Sequence, residues 1–123
     1  MAKIMVVDDA AFMRMMLKDI LNEAGFNKII EAKTGGEALI FFKVERPDVV
    51  LLDVTMPDTD GIDALVKMKE FNPDTKVIMC SSMGQEDMVT DCFEKGADDF
   101  IVKPFKPERI IQAVSQFASA NEE

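Results

Sequence analysis

Histidine, tryptophan and tyrosine are all missing from this 123-residue chain. Without an imidazole, Ser-His and Cys-His nucleophile pairs, imidazole metal ligation and a phosphohistidine on this chain are excluded. Any chemistry therefore runs on carboxylates, hydroxyls and lysine. Cysteine is scarce as well: Cys80 and Cys92 lie in apolar surroundings and match no metal or redox spacing, which points to a reduced intracellular compartment. No apolar run approaches the ~20 residues needed to cross a bilayer. Met1-Ala2-Lys3 leads straight into a strand-like segment and not into a targeting sequence. The expectation is a cytoplasmic protein with no membrane partner. Basic residues are the minority, 14 against 23 acidic ones for a net charge of −9, and they do not cluster. Nucleic acid is excluded as a partner, because phosphate contacts need clustered cations.

What is present is a chain rich enough in apolar residues, 48%, to bury a core within one domain over residues 1–123. Short apolar runs at residues 4–8, 28–31, 49–53, 76–81 and 100–103 alternate with longer helical patterns, the mark of successive βα units and a parallel sheet. Their centres are nearly continuous Val, Ile, Leu and Met, as in strands covered on both faces. Met13, Met16, Leu17, Ile20, Leu21 and Ala24 recur at helical spacing before Gly25, a C-terminal stop. Thr34-Gly-Gly-Glu37 has capping-box spacing for a second helix that ends before Pro47. Ile62, Leu65, Val66 and Met68 mark a third, and Met88, Val89, Cys92 and Phe93 a fourth that stops at Gly96. In the fifth, Pro107 suits the first turn and Ile110, Ile111, Val114 and Phe117 form the apolar stripe. Gly61 is expected to permit the turn before the third helix, with Asp58 or Asp60 as its cap, and residues 118–123 to fray. Five such units with right-handed crossovers predict a doubly wound sheet. A flavodoxin-like strand order 2-1-3-4-5 is one choice among alternatives, and it would place strands one and three at the ligand-binding switch point.

Four of the apolar runs stop on reactive polar residues: Val6-Val7 on Asp8-Asp9, Leu51-Leu52 on Asp53, Met79-Cys80 on Ser81, and Ile101-Val102 on Lys103. As neighbouring strand ends they would bring three carboxylates, a hydroxyl and an ammonium to one rim. Carboxylates within about 4–6 Å of one another stay ionised together only if a cation joins them. A hard divalent ion fits, and Mg²⁺ is favoured because it keeps waters and shares itself with phosphoryl oxygens.

At this point the motifs, in order, resemble the signature blocks of response-regulator receiver domains. They are Val6-Val7-Asp8-Asp9, Leu51-Leu52-Asp53-Val54-Thr55-Met56-Pro57-Asp58-Thr59-Asp60-Gly61, Cys80-Ser81-Ser82 and Lys103-Pro104-Phe105. Met13-Arg14-Met15-Met16-Leu17 and Ser81-Ser82-Met83-Gly84-Gln85 are most similar to the stand-alone chemotaxis response regulators of archaea and non-enteric bacteria. The resemblance implies that Asp53 is the phosphoacceptor, that Asp9 binds Mg²⁺ directly and Asp8 through water, and that the Thr55 backbone carbonyl completes the protein ligands. It implies that Lys103, before a Lys-Pro bond that is usually cis in the family, offsets phosphoryl charge. Ser81 would bond a phosphoryl oxygen, and Phe100 would move into the space Ser81 leaves; with Phe here in place of Tyr, no phenol hydroxyl joins that switch. A chemotaxis histidine kinase would be the donor, and the protein would catalyse only its own phosphorylation and dephosphorylation. The output would pass from a monomer to a motor switch protein or adaptor through the fourth helix, fifth strand and fifth helix, roughly residues 85–117. Glu86, Asp87, Asp91, Glu94, Lys95, Lys106 and Arg109 are the charged candidates there. A stand-alone receiver in a non-chemotaxis phosphorelay is the alternative.

Two other classes fit less well. Leu51-Leu52-Asp53-Val54-Thr55 also resembles the nucleophile motif of haloacid-dehalogenase-type phosphatases, but those place a second Asp where Thr55 stands and the acidic pair after the Lys. A flavodoxin-type carrier would set a flavin phosphate against Asp8-Asp9 and has no Trp or Tyr to stack on the ring.

The receiver resemblance further implies that Met83, two residues after Ser81, and Thr55, two after Asp53, border the phosphoryl group, where they are expected to limit water. Met83→Ala and Thr55→Ala are each expected to change the decay rate of the phosphorylated form, followed by loss of radiolabel. Decay unaltered in both would refute that role.

Overall fold

The computed structural model describes residues 2–119; the residues 120–123 expected to fray lie outside them. Five parallel strands run in the order β2-β1-β3-β4-β5. They are β1 (Lys3–Val7), β2 (Lys28–Ala32), β3 (Val49–Asp53), β4 (Lys76–Ser81) and β5 (Asp99–Val102), alternating with α1 (Ala11–Glu23), α2 (Gly35–Glu45), α3 (Gly61–Phe71), α4 (Glu86–Glu94) and α5 (Pro107–Ser115). This is the flavodoxin-like doubly wound arrangement. Among the described residues no helix is long and apolar enough to cross a membrane.

The strands β1, β3 and β4 are apolar because both their faces are covered. Met5, Val7, Val50, Leu52, Val77 and Met79 pack under α2, α3 and α4. Ile4, Val6, Val49, Leu51, Ile78 and Cys80 pack under α1 and α5. Each fully buried aliphatic side chain contributes about 1.5–3 kcal/mol, so the sheet's centre is the least movable part of the molecule. Helix α4 is thinner cover. Its Cys92 is buried, but Phe93, expected on the apolar stripe, is 45% exposed. Phe117, also placed on a helical stripe, lies just past α5 and packs against the core there, as does Ala118.

Helix ends largely follow the residues. Gly25 and Gly96 take positive φ, 94° and 108°, where a Cβ would be strained. Arg46 does the same at the end of α2, with φ 49° and its N–H donating to the Phe42 carbonyl; no glycine announces that stop. Thr34 Oγ1 accepts from Glu37 N at 3.1 Å, but the returning bond goes from Lys33 N to Glu37 Oε1, 3.0 Å, one residue before the capping-box position. Gly61 departs from its expected reason. It opens α3, and a Cβ there would lie 2.2 Å from the Asp53 carbonyl oxygen; close approach to β3, not a left-handed turn, requires glycine.

At the opposite end of the sheet a half-buried pair ties α3 to β4. Lys69 Nζ donates to Asp98 Oδ2 and to the Thr75 carbonyl, each at 2.7 Å, and Asp98 Oδ2 also accepts from Val77 N at 2.9 Å. Asp98→Ala strips a buried amide and an ammonium of one partner together. The expected loss is about 2 kcal/mol in urea unfolding, and an unchanged midpoint would show that water replaces the carboxylate at no cost.

Candidate functional site

Register brings the reactive strand ends level. Val7 pairs with Leu52, Asp53 with Cys80 and Ser81 with Val102. The ladder then runs one residue further: Asp8 N donates to Ala32 O, Val54 N to Cys80 O and Lys103 N to Ser81 O, at 3.1, 2.9 and 2.8 Å. Backbone pairing thus holds the rim residues and not a free loop. The Lys103–Pro104 peptide bond is cis.

Asp8 is 2% exposed and is fixed from several sides. Its Oδ1 accepts from Ala10 N at 3.0 Å, its Oδ2 from Lys103 Nζ at 2.8 Å, and its backbone oxygen from Arg14 Nη1 at 2.7 Å. Arg14 in turn is held by Glu31, Nε to Oε1, 3.1 Å. Asp53 is 6% exposed; its Oδ2 accepts from Lys103 Nζ and its Oδ1 from Thr55 N, each at 3.3 Å. Asp9 is exposed at the mouth. Carboxylate oxygens of Asp8, Asp9 and Asp53 all lie within 4.8 Å of one another, so the structure brings the three predicted side chains together.

At such separations each pair of ionised carboxylates repels by about 3 kcal/mol or more at an effective dielectric near 20. Lys103 supplies one positive charge against three negative ones. Burial pushes the Asp53 carboxyl above its usual range; the Lys103 ammonium opposes that, and Asp8 reinforces it. For Lys103 burial works the other way, but its hydrogen bond to Asp8 and the attraction of Asp53 outweigh it and raise the ammonium's pKa. The site is short of positive charge and offers hard oxygen donors only, which suits a divalent cation of the Mg²⁺ kind.

Ser81 is buried beside this group, and its Oγ accepts from Met83 N at 3.0 Å. Phe100 is 8% exposed and lies in the core on the α2–α4 side, opposite Met79 in the ladder. Met83 is 49% exposed. Cys80, directly beneath, is an inert thiol whose pKa burial pushes far up. Sequence reasoning missed Arg14, which braces the backbone of Asp8; a lone Arg within a methionine-rich helical stretch was its only trace. It also left Asp58 and Asp60 undivided. Asp60 caps α3 through Ile62 N at 2.8 Å, whereas Asp58 caps α2. Arg109, a candidate for the output face, is held by β5: its guanidinium grips both oxygens of Asp99 at 3.2 and 3.0 Å and the Phe100 carbonyl at 3.1 Å.

A doubly wound sheet with crowded aspartates and a strand-end lysine at its switch point defines a receiver. Residues 4–115 match the response regulator receiver domain family, and the chain belongs to it. It is 49% identical to chemotaxis protein CheY of Bacillus subtilis over 114 residues, 93% of this chain and 95% of the relative. It is 36% identical to sporulation initiation phosphotransferase F of the same organism, over 94% and 92% of the two chains. Among solved structures it superposes with TM-score 0.90 and 41% identity on a chain of the CheX-CheY-BeF3-Mg²⁺ complex from Borrelia burgdorferi, covering 96% of this chain and 90% of that one.

The raised carboxyl of Asp53 has a consequence for stability. A carboxyl whose pKa is higher folded than unfolded costs stability once the pH exceeds the folded value, and costs nothing below the ordinary value of 3.8. In metal-free buffer Asp53→Asn is therefore expected to raise the urea midpoint at pH 7. That advantage should shrink on acidification and be gone below pH 3.8; a midpoint lowered at pH 7 contradicts the crowding.

Proposed function

We propose that this chain is a phosphoacceptor response regulator that takes a phosphoryl group on Asp53 from a histidine kinase and relays a chemotaxis signal to the motility motor or its adaptor. The observation that carries the reading is Asp53 itself, buried between Asp8 and Lys103 and linked to Lys103 Nζ at 3.3 Å. Asp8, Asp9, Asp53 and the Thr55 backbone carbonyl would hold Mg²⁺. Bound there, it supplies a Lewis acid that offsets charge on phosphoryl oxygens.

The chain's own residues do the rest. An Asp53 oxygen attacks phosphorus, the bond from phosphorus to the donor's nitrogen breaks, and that nitrogen keeps the electron pair. The donor is a phosphohistidine on another protein, since this chain has no histidine. Lys103, held by Asp8, stays within reach of the charge that builds on the transferred group. The Ser81 hydroxyl, which now accepts from Met83 N, has a proton to donate to a phosphoryl oxygen. Its reorientation is the local event that Phe100, on the adjacent β5 opposite Met79, would register. The protein catalyses only its own phosphorylation and dephosphorylation.

The chemotaxis assignment is supported by the 49% identical CheY relative. The exposed apolar side chains of Met83, Phe93 and Val102 support an output face on α4, β5 and α5. Glu86, Asp87, Glu94, Lys95 and Lys106 are exposed on the same segment, and Arg109 is paired with Asp99. The similarity to a sporulation phosphotransferase favours, as the second reading, a receiver in a non-chemotaxis phosphorelay.

Label from a phosphorylated histidine kinase is expected on the wild type with Mg²⁺. Chelation, or the Asp53→Asn substitution, should lower it by about a hundredfold or more. Turnover of phosphate monoesters in its place would overturn the proposal. A pull-down comparing the beryllofluoride-treated protein with Asp53→Asn separates the two readings: a motor switch protein or its adaptor supports chemotaxis, and phosphotransfer proteins alone support the phosphorelay.

A further inference from the structure

The loop between β3 and α3 carries Thr55 at its base and Asp58 at its tip, and an isolated bridge between Thr55 and Asp60 closes it. Its tip is anchored on a different element. Asp58 Oδ1 accepts from Gly35 N at 2.9 Å and Asp58 Oδ2 from Gly36 N at 3.0 Å. With Thr34 Oγ1 taking Glu37 N, the first three amides of α2 are all satisfied by side chains, two of them by a residue from across the chain. A carboxylate at a helix N-terminus also meets the positive end of the helix dipole. The fit is close as well: a Cβ on Gly35 would stand 1.8 Å from Thr59 Cγ2. The whole loop, from Thr55 to Asp60, also lines an open cleft of about 470 Å³ whose far wall includes Met88. The cleft leaves room for the loop to swing.

We propose that Asp58 is a positioning residue for the cation site: by clasping the N-terminus of α2 it holds the Thr55 segment in place beside Asp53. The inference rests on the Mg²⁺ reading given above. Thr55 N already donates to Asp53 Oδ1, so a loop that swings toward the cleft takes with it both that bond and the Thr55 carbonyl. Helix α2 thereby becomes part of the machinery that sets cation affinity, although none of its side chains reaches the three aspartates.

Removing Asp58 also removes a negative charge near the cation, so the test must separate geometry from charge. Mg²⁺ is titrated calorimetrically into the full chain as wild type, Asp58→Ala and Asp58→Asn, and amide exchange is followed at Gly35, Gly36 and Thr55. Asp58→Ala is expected to weaken Mg²⁺ binding about tenfold, the low end for a group that supports a metal ligand. Exchange should quicken at all three amides. Asp58→Asn is neutral but keeps one acceptor oxygen, and should lose no more than about threefold. Equal weakening in the two variants would assign the effect to charge and overturn the proposal, as would unchanged affinity in Asp58→Ala. A wild type that binds no Mg²⁺ overturns the underlying reading and this inference with it.

Discussion

The contest between three carboxylates and one ammonium organises this molecule. Asp8 and Asp53 are almost fully buried, Asp9 joins them from the mouth, and their oxygens lie within 4.8 Å. Lys103 is shared between two of them. Repulsion of this size persists only because the sheet beneath does not yield: the strands that deliver Asp8 and Asp53 are the central ones, and their apolar residues are packed on both faces. The same frame that stabilises the fold maintains an unfavourable charge arrangement at its rim, which any added cation or phosphoryl group then changes.

Support for the rim comes from residues outside the carboxylate cluster. Arg14 ties the Asp8 carbonyl to α1 and is itself held by Glu31. Asp58 ties the loop after β3 to α2. Gly61 lets α3 begin against the backbone of Asp53, where any side chain would collide. Three helices are thus attached to the rim that carries Asp8 and Asp53. Helix α4 is packed more lightly, with Phe93 exposed, and fewer buried contacts make an element easier to move.

Much of the fold was legible in the residues. Helical spacing in α1 and α5, the Gly25 and Gly96 stops and the five apolar runs read correctly because burial on both faces leaves little alternative to Val, Ile, Leu and Met. What the residues did not reveal has one cause. Phe93 looked like core because periodicity reports which face a residue shares, not whether another element covers that face. The partner of Arg109 was not legible, because Asp99 sits on β5, ten positions earlier in the chain. Asp58 and Asp60 stood as alternative caps for α3, since the amides of Gly35 and Gly36 that Asp58 takes lie more than twenty positions away.

Sequence alone determined the chemistry available at the rim. With no histidine and with Asp8, Asp9, Asp53, Ser81 and Lys103 each following an apolar run, only carboxylates, a hydroxyl and an ammonium could assemble there. Tertiary structure alone decided how they divide the work. Strand order placed β1 beside β3, register made their ends level, and distances of 2.8 and 3.3 Å gave Lys103 to Asp8 more closely than to Asp53. Local sequence encodes which groups end a strand, because burial acts residue by residue. Which strands become neighbours depends on contacts between distant segments that no local pattern records.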